Sequence, residues 1–90
     1  MKIYIAGKIT GNPDYKAEFC RLEHTLLTQG HIVLNPTNLP LGMEYGDYMH
    51  ICMAMIDCCD EVHLLPNWKD SNGARHEEQY ARMKGKKVVY

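Results

Sequence analysis

Two stretches of the sequence concentrate side chains that could do chemistry. The first is SNGARHEEQYARMKG, residues 71 to 85, a short helical segment opened by Ser-Asn-Gly and stopped by Gly85. It sets two carboxylates side by side, Glu77 and Glu78. Successive residues on a helix diverge by about 100°, so only one of them can face the protein. With Ala74 as origin, Ala81, Glu77, Gly73 and Tyr80 fall at about 340°, 300°, 260° and 240°, while Arg75, Gln79 and Arg82 gather opposite. Glu77 therefore stands in the middle of the least polar stripe, and Glu78 at its margin is expected to be solvated. The small residues Gly73, Ala74 and Ala81 let this helix approach its neighbours closely. An inward carboxylate one turn into a helix has two uses. It caps its own helix or pairs with a lysine, or it is a positioned nucleophile or base in a cleft. At that depth the N-terminal dipole favours its ionised form.

The second stretch is the turn Gly7-Lys8-Ile9-Thr10-Gly11. Taken alone, the lysine could simply be solvated, since a Gly-Lys pair in a turn is common. The residue order is not that of a P-loop. The four cysteines, Cys20, Cys52, Cys58 and Cys59, form no C-x-x-C pair, and the five histidines show no H-x-x-x-H spacing. Small buried thiols in a reducing compartment are the expectation, with no metal site. Trp68 either stacks on a ligand or covers an edge of the core.

The elements that must position these residues follow from periodicity. KIYIA (2–6), HIVLN (31–35), EVHLLP (61–66) and KKVVY (86–90) read as short β-rich strands. Asn12 and Pro13 suit an N-cap and first helical position. Tyr15, Phe19, Leu22 and Leu26 then mark one face of a helix ending at Gly30. A second helix from Asp47 carries the stripe Tyr48, Ile51, Cys52, Met55, Ile56 and Cys59, read as core. Gly73 to Lys84 is the third. The β-α-β-α-β-α-β order predicts an α/β fold, a flavodoxin/Rossmann-like three-layer sandwich. Its four-stranded parallel sheet has the order 2-1-3-4. Ligands bind such sheets at the carboxyl ends, near the switch between strands 1 and 3. The 7–11 turn and the segment before the third helix both leave those ends. The loop 36–46, with two prolines and two glycines, is long for so small a domain and hints at binding.

Ninety residues make a single domain, 1–90, and a chain this short buries a modest share of its surface. Association into a homodimer or higher homo-oligomer is therefore expected. Ten basic and eleven acidic residues, a formal net charge of −1, leave no footprint for a nucleic-acid polymer or an anionic membrane. No apolar run approaches the ~20 residues of a membrane span. The N-terminus is too short in apolar residues for a signal peptide, which points to the cytoplasm.

Tyr4 to Gly7, Asp60 before the third strand, and Ser71, Gly73, Glu77 and Ala81 on the last helix together carry a resemblance. The sequence resembles the nucleoside 2-deoxyribosyltransferase superfamily, and its short members most closely. The likeness runs through nearly all of the chain, and the Ser/Asp-x-Gly-x-x-x-Glu-x-x-x-Ala motif is its most specific part. The resemblance implies that Glu77 is the nucleophile. It would attack the anomeric carbon of a nucleoside, expel the base and form a covalent glycosyl-enzyme, as a carboxylate does in a retaining glycosidase. It also implies that Tyr4 lies near the sugar, where a core strand aromatic is the alternative. Asp60 matches a family acid, catalytic or else a cap on its turn. The transferases proper carry Asp where Ser71 stands. A branch acting on nucleoside 5′-monophosphates carries Ser, which suits a phosphate held also by helix N–H groups. The 7–11 turn resembles that branch's phosphate-contacting turn, which implies that Lys8 and the backbone N–H groups neutralise the phosphate.

The expected function is cleavage or transfer of the N-glycosidic bond of a nucleoside or nucleoside 5′-monophosphate, with no metal or organic cofactor. Glu77 and Asp60 are the candidate catalytic residues. Tyr4, Gly7, Lys8, Thr10, Ser71 and Gly73 are the candidates for substrate binding. The alternative is a nucleotide-binding module without catalysis. One point counts for it: larger transferases continue past the fourth strand, where this sequence stops, with a segment that completes the neighbouring subunit's site. A structural partner subunit is the third reading.

Overall fold

The computed structural model describes residues 1–90. Four strands, β1 (Lys2–Ala6), β2 (Ile32–Leu34), β3 (Glu61–Leu64) and β4 (Lys87–Val89), alternate with three helices. These are α1 (Tyr15–Thr28), α2 (Tyr45–Cys58) and α3 (Asn72–Met83). All strand pairs are parallel, and the sheet order is β2-β1-β3-β4, as expected. The chain turns from β1 outward to β2 and then back across to β3. The switch therefore lies between β1 and β3, where connections leaving the carboxyl ends diverge and open a crevice.

Side chains of β1 alternate between two cores. Ile3 and Ile5 point to the face covered by α1, where they pack with Phe19, Leu26 and Leu65. Tyr4 and Ala6 point to the other face, among Cys52, Ile56 and Cys59 of the α2 side, Val62 and Leu64 of β3, and Ala81 of α3. A one-residue slip in register would exchange the two sets, so burial on both faces fixes the register strongly. It also fixes that Tyr4 looks toward α3.

Helices α1 and α3 end by the same device. Gly30 and Gly85 take φ of +88° and +73°. The following N–H turns back to the helix, His31 to Leu26 O and Lys86 to Ala81 O. Glycine tolerates this left-handed residue without the Cβ penalty. Both endings drop the chain directly into the next strand.

The starts of elements differ from the sequence expectation. Helix α1 begins at Tyr15, and neither Asn12 nor Pro13 caps it. The Asn12 amide instead donates to Lys8 O and to Glu18, and its carbonyl accepts from Asp14 N. Asn12 thus closes the turn after β1, a use of the same short polar side chain that competes with capping. Helix α2 begins at Tyr45, two residues early, and short 3-10 turns occupy Pro36–Asn38 and Trp68–Asp70. No helix is long and apolar enough to cross a membrane.

Candidate active site

A cavity of about 550 Å³ opens where the carboxyl end of β1 meets the amino ends of α2 and α3. Glu77 lies in its wall. Three elements deliver the polar part. The turn after β1 supplies Gly7 and Thr10, and the first turn of α3 supplies Ser71, Asn72 and Gly73, with Asp70 just before them. The other wall is largely apolar and comes from Leu41 and the α2 residues Tyr45, Tyr48, Met49 and Cys52.

Local bonding holds these pieces in place. Ser71 is the N-cap of α3, its Oγ accepting from Ala74 N at 3.1 Å. The turn after β1 is tied to the turn before α3, because Lys8 N donates to Asn67 Oδ1 at 3.2 Å. Asn67 and Asn12 both donate to Glu18 Oε1. Gly7 is required by packing: a Cβ there would stand 2.7 Å from Leu65 Cδ1 and 3.0 Å from Leu65 Cβ.

Glu77 is 7 % exposed and takes part in no ion pair. Its partner is Tyr4, whose hydroxyl donates to Oε2 at 2.7 Å. Neither a capping role nor a lysine accounts for the buried acid. Burial raises its pKa to about 7, against the lowering effect of the hydrogen bonds from Tyr4 and Cys52. From the sequence, the helix dipole was expected to keep Glu77 ionised. Desolvation outweighs that effect, because a dipole at a helix end contributes at most about 2 kcal/mol, whereas burying a charge costs several. The carboxylate in turn raises its neighbours: burial and then the nearby Glu77 charge push Tyr4 well up and Cys52 to about 12. Both are neutral donors at ordinary pH.

Glu78 corrects the expectation of a solvated acid. It is 6 % exposed. Arg82 grips it through Nε at 2.8 Å and Nη2 at 3.1 Å, and the Tyr90 hydroxyl donates to the same carboxylate. Burial pushes its pKa up, but these hydrogen bonds outweigh burial and hold it below the usual range. Adjacent glutamates thus have opposite environments, one neutralisable and one fixed as an anion. The C-terminal residue Tyr90 folding onto α3 left no periodic signal in the sequence.

Of the residues singled out from the sequence, Gly7, Thr10, Ser71, Gly73 and Glu77 are brought together around the cavity. Tyr4 supports Glu77 from within the core. Lys8 is on the turn, but its side chain is not part of the lining. Asp60 is at the amino end of β3, away from the cavity, where its carboxylate accepts from Lys2 N at 2.8 Å and its own N–H bonds Lys2 O. It is a clasp between β1 and β3, and no contact joins it to Glu77. Trp68 lies outside the lining and packs on Tyr90, ring centroids 5.6 Å apart, so it covers the core edge. Tyr48 and Cys52, read from the sequence as part of the core stripe, also line the cavity; Met49 was not singled out, and Tyr45 fell in the loop expected to bind. The long loop preceding α2 was the signal that pointed there. No group of three or more His, Cys, Asp or Glu is arranged to hold a metal ion.

A parallel sheet of this order, with a cavity at its switch point, makes the molecule a doubly wound α/β fold of the flavodoxin/Rossmann-like class. The chain superposes on a 2-desoxiribosyltransferase from Leishmania mexicana with a TM-score of 0.76 at 23 % identity. The match covers 97 % of this chain and 61 % of that one, so the fold is shared and the chain spans about three-fifths of that protein's length. Residues 1–90 match the family described as a domain of unknown function, DUF4406, and the chain belongs to that family. No curated protein sequence matches the chain.

Proposed function

We propose that the protein cleaves or transfers the N-glycosidic bond of a nucleoside or nucleoside 5′-monophosphate, with Glu77 as nucleophile. The observation that carries this is the Glu77 carboxylate itself. It is buried, free of any cation, oriented by Tyr4 and open to a cavity at the sheet's switch point. An acid kept there without a counter-charge costs stability, and a site that uses it explains the cost.

In the first half-reaction one carboxylate oxygen bonds to C1′ as the C1′–N bond breaks. The base departs with the bonding electron pair and takes a proton from water, which is made good when the attacking water or base gives up its own proton in the second half-reaction. In the second, water or another base attacks C1′, the glycosyl ester opens, and Glu77 is regenerated. Tyr4 holds Oε2 and so leaves Oε1 for attack. The same hydrogen bond stabilises the carboxylate as it leaves in the second step. Ser71, Thr10 and the first-turn N–H groups of α3 face the sugar's 5′ end in this reading. Asp60 takes no part.

Released base, followed by chromatography over a panel of nucleosides and monophosphates, tests the proposal. Wild type should release base, and Glu77→Gln should lose at least a thousandfold in rate while keeping its fold. A Glu77→Gln protein as fast as wild type removes the nucleophile. Ligand binding by both proteins with no base release by either would leave the cavity a nucleotide-binding module.

A further inference from the structure

An overall charge of −1 hides an uneven distribution. Six of the ten lysines and arginines, but only three of the eleven acids, lie within residues 69–87. Of those acids, Glu77 is turned inward, Asp70 borders the cavity, and Glu78 is held by Arg82 and Tyr90. Excess positive charge is therefore left on the outside of α3 and its flanks. That side carries a second groove of about 450 Å³, within the roughly 300–1,000 Å³ of small-molecule sites. Asn72, Arg75, His76, Gln79 and Arg82 form one wall, spaced as a single helical stripe. Trp68, from the turn before the helix, forms the other.

The groove is rich in donors and its key cation is fixed. Glu78 is the one acid in the lining, and its carboxylate already accepts from Arg82 and Tyr90. Arg75 donates from Nη1 to Lys69 O at 2.6 Å and from Nη2 to Asn72 Oδ1. These two anchors hold the planar fork, and its remaining N–H donors are available to a ligand. His76 and Gln79 are exposed beside it. Lys69 adds a cation at the rim, its Nζ 5.8 Å from the centre of the Trp68 ring. Packing on Tyr90 holds that ring in turn. A fixed guanidinium suits an oxyanion, which it binds bidentately, and the amino end of a helix favours negative charge. The neighbouring indole suits a flat body. Side chains ordered beforehand also spare that cost on binding.

We propose that this groove is a second ligand site, which takes a phosphate monoester of a flat ring compound. The phosphate sits on Arg75, His76 and Gln79, and the ring lies against Trp68. The site stands on these residues and does not depend on the reading of the Glu77 cavity. Anion and ring are both needed: the charge-assisted hydrogen bonds select the phosphate, and the indole selects what carries it.

Trp68 reports on the groove directly, being the only tryptophan in the chain and outside the lining of the Glu77 cavity. Its fluorescence is followed while phenyl phosphate, inorganic phosphate or benzyl alcohol is added. None of the three is a nucleoside, so no turnover intrudes. Phenyl phosphate should give a saturable change at millimolar concentration or below. Inorganic phosphate and benzyl alcohol, each filling half of the site, should bind at least about tenfold more weakly. Arg75→Ala should weaken phenyl phosphate by about tenfold or more, and Arg75→Lys should recover only part of the loss. Gln79→Glu, which sets a negative charge beside the phosphate, should abolish the response. Both positions are exposed, so these variants keep the fold, and circular dichroism checks it. Glu77→Gln should bind as wild type does. No saturable change overturns the proposal. So does inorganic phosphate as tight as the ester, or a response that survives both Arg75→Ala and Gln79→Glu. Binding that follows the expected pattern supports the groove whether or not the protein releases base from nucleosides.

Discussion

The hydroxyl of Tyr4 donates to Glu77 Oε2 at 2.7 Å, joining the first strand to the last helix across 73 residues of chain. Two independent periodicities produce the contact. Alternation along β1 sends Tyr4 to the face away from α1, and the α3 wheel turns Glu77 to the sheet. Burial of both groups makes the bond strong in effect, since water is not at hand to replace a lost partner.

That bond should be visible in the pH dependence of the reaction. A nucleophilic Glu77 must be ionised, so kcat/KM should rise with pH through about 7. The Tyr4 hydrogen bond favours the carboxylate, and its removal in Tyr4→Phe should move the rising limb to higher pH. The variant should also lose stability, by about 1–3 kcal/mol for an orphaned buried acceptor. A rate profile flat from pH 5 to 9 in the wild type, with binding intact, would count against an ionising nucleophile.

Stability should carry the opposite signature. Folding raises the Glu77 pKa from 4.5 to about 7, so between those values the folded chain holds a proton that the unfolded chain has lost. The contribution is therefore intact below the unfolded value and is lost as pH rises through the folded one. The full difference is on the order of 3 kcal/mol. Glu77→Gln cannot ionise and keeps an acceptor for Tyr4. Relative to wild type it should gain stability from pH 5 to pH 8 in urea unfolding. A constant difference across that range would mean that Glu77 is less desolvated than its burial implies.

Ser71 separates folding from recognition. Its Oγ caps α3 by accepting from Ala74 N, and the residue also borders the cavity. Asp caps as well as Ser, while Ala does not. Ser71→Ala should cost about 1 kcal/mol of stability. Ser71→Asp should keep stability but weaken a 5′-monophosphate far more than the matching nucleoside, by tenfold or more, through like charge. Equal losses for both ligands in calorimetry would show that the 5′ end lies elsewhere.

Most of the architecture was legible because parallel strands buried on both faces and amphipathic helices leave strong periodic signals. The 2-1-3-4 order, the helix endings at Gly30 and Gly85, and the inward turn of Glu77 all follow from them. What was not legible depends on side chains meeting without periodicity. Asn12 closes a turn instead of capping α1, a choice settled by Glu18 and Asn67 in the folded structure. Glu78 is buried only because Tyr90, at the far end of β4, folds onto it with Arg82. Part of the cavity's apolar wall hid inside the α2 stripe, since Tyr48 and Cys52 line the cavity while Cys52 and Ile56 also serve the core.

Gly73 offers a direct measure of whether the cavity is used. It lies within α3, and its φ is not positive, so its backbone does not call for glycine. Glycine inside a helix costs roughly 0.5–1 kcal/mol relative to alanine. A Cβ would clash with nothing, meeting Met49 Sδ, Tyr45 Oη and Ser71 Oγ at 3.7, 3.8 and 3.9 Å, all ordinary contact distances. By folding physics alone alanine is the better residue. The missing methyl instead leaves room between the first turn of α3 and the α2 wall, beside the path to Glu77. Gly73→Ala should therefore raise thermal stability by about 0.5 kcal/mol and at the same time raise KM for nucleosides roughly tenfold, as filling a ligand's space does. Calorimetric unfolding and initial rates on the same preparation read both effects. A variant more stable and kinetically unchanged would show that substrate does not approach α3 at this turn, and would move the sugar away from the Ser71 side of the cavity.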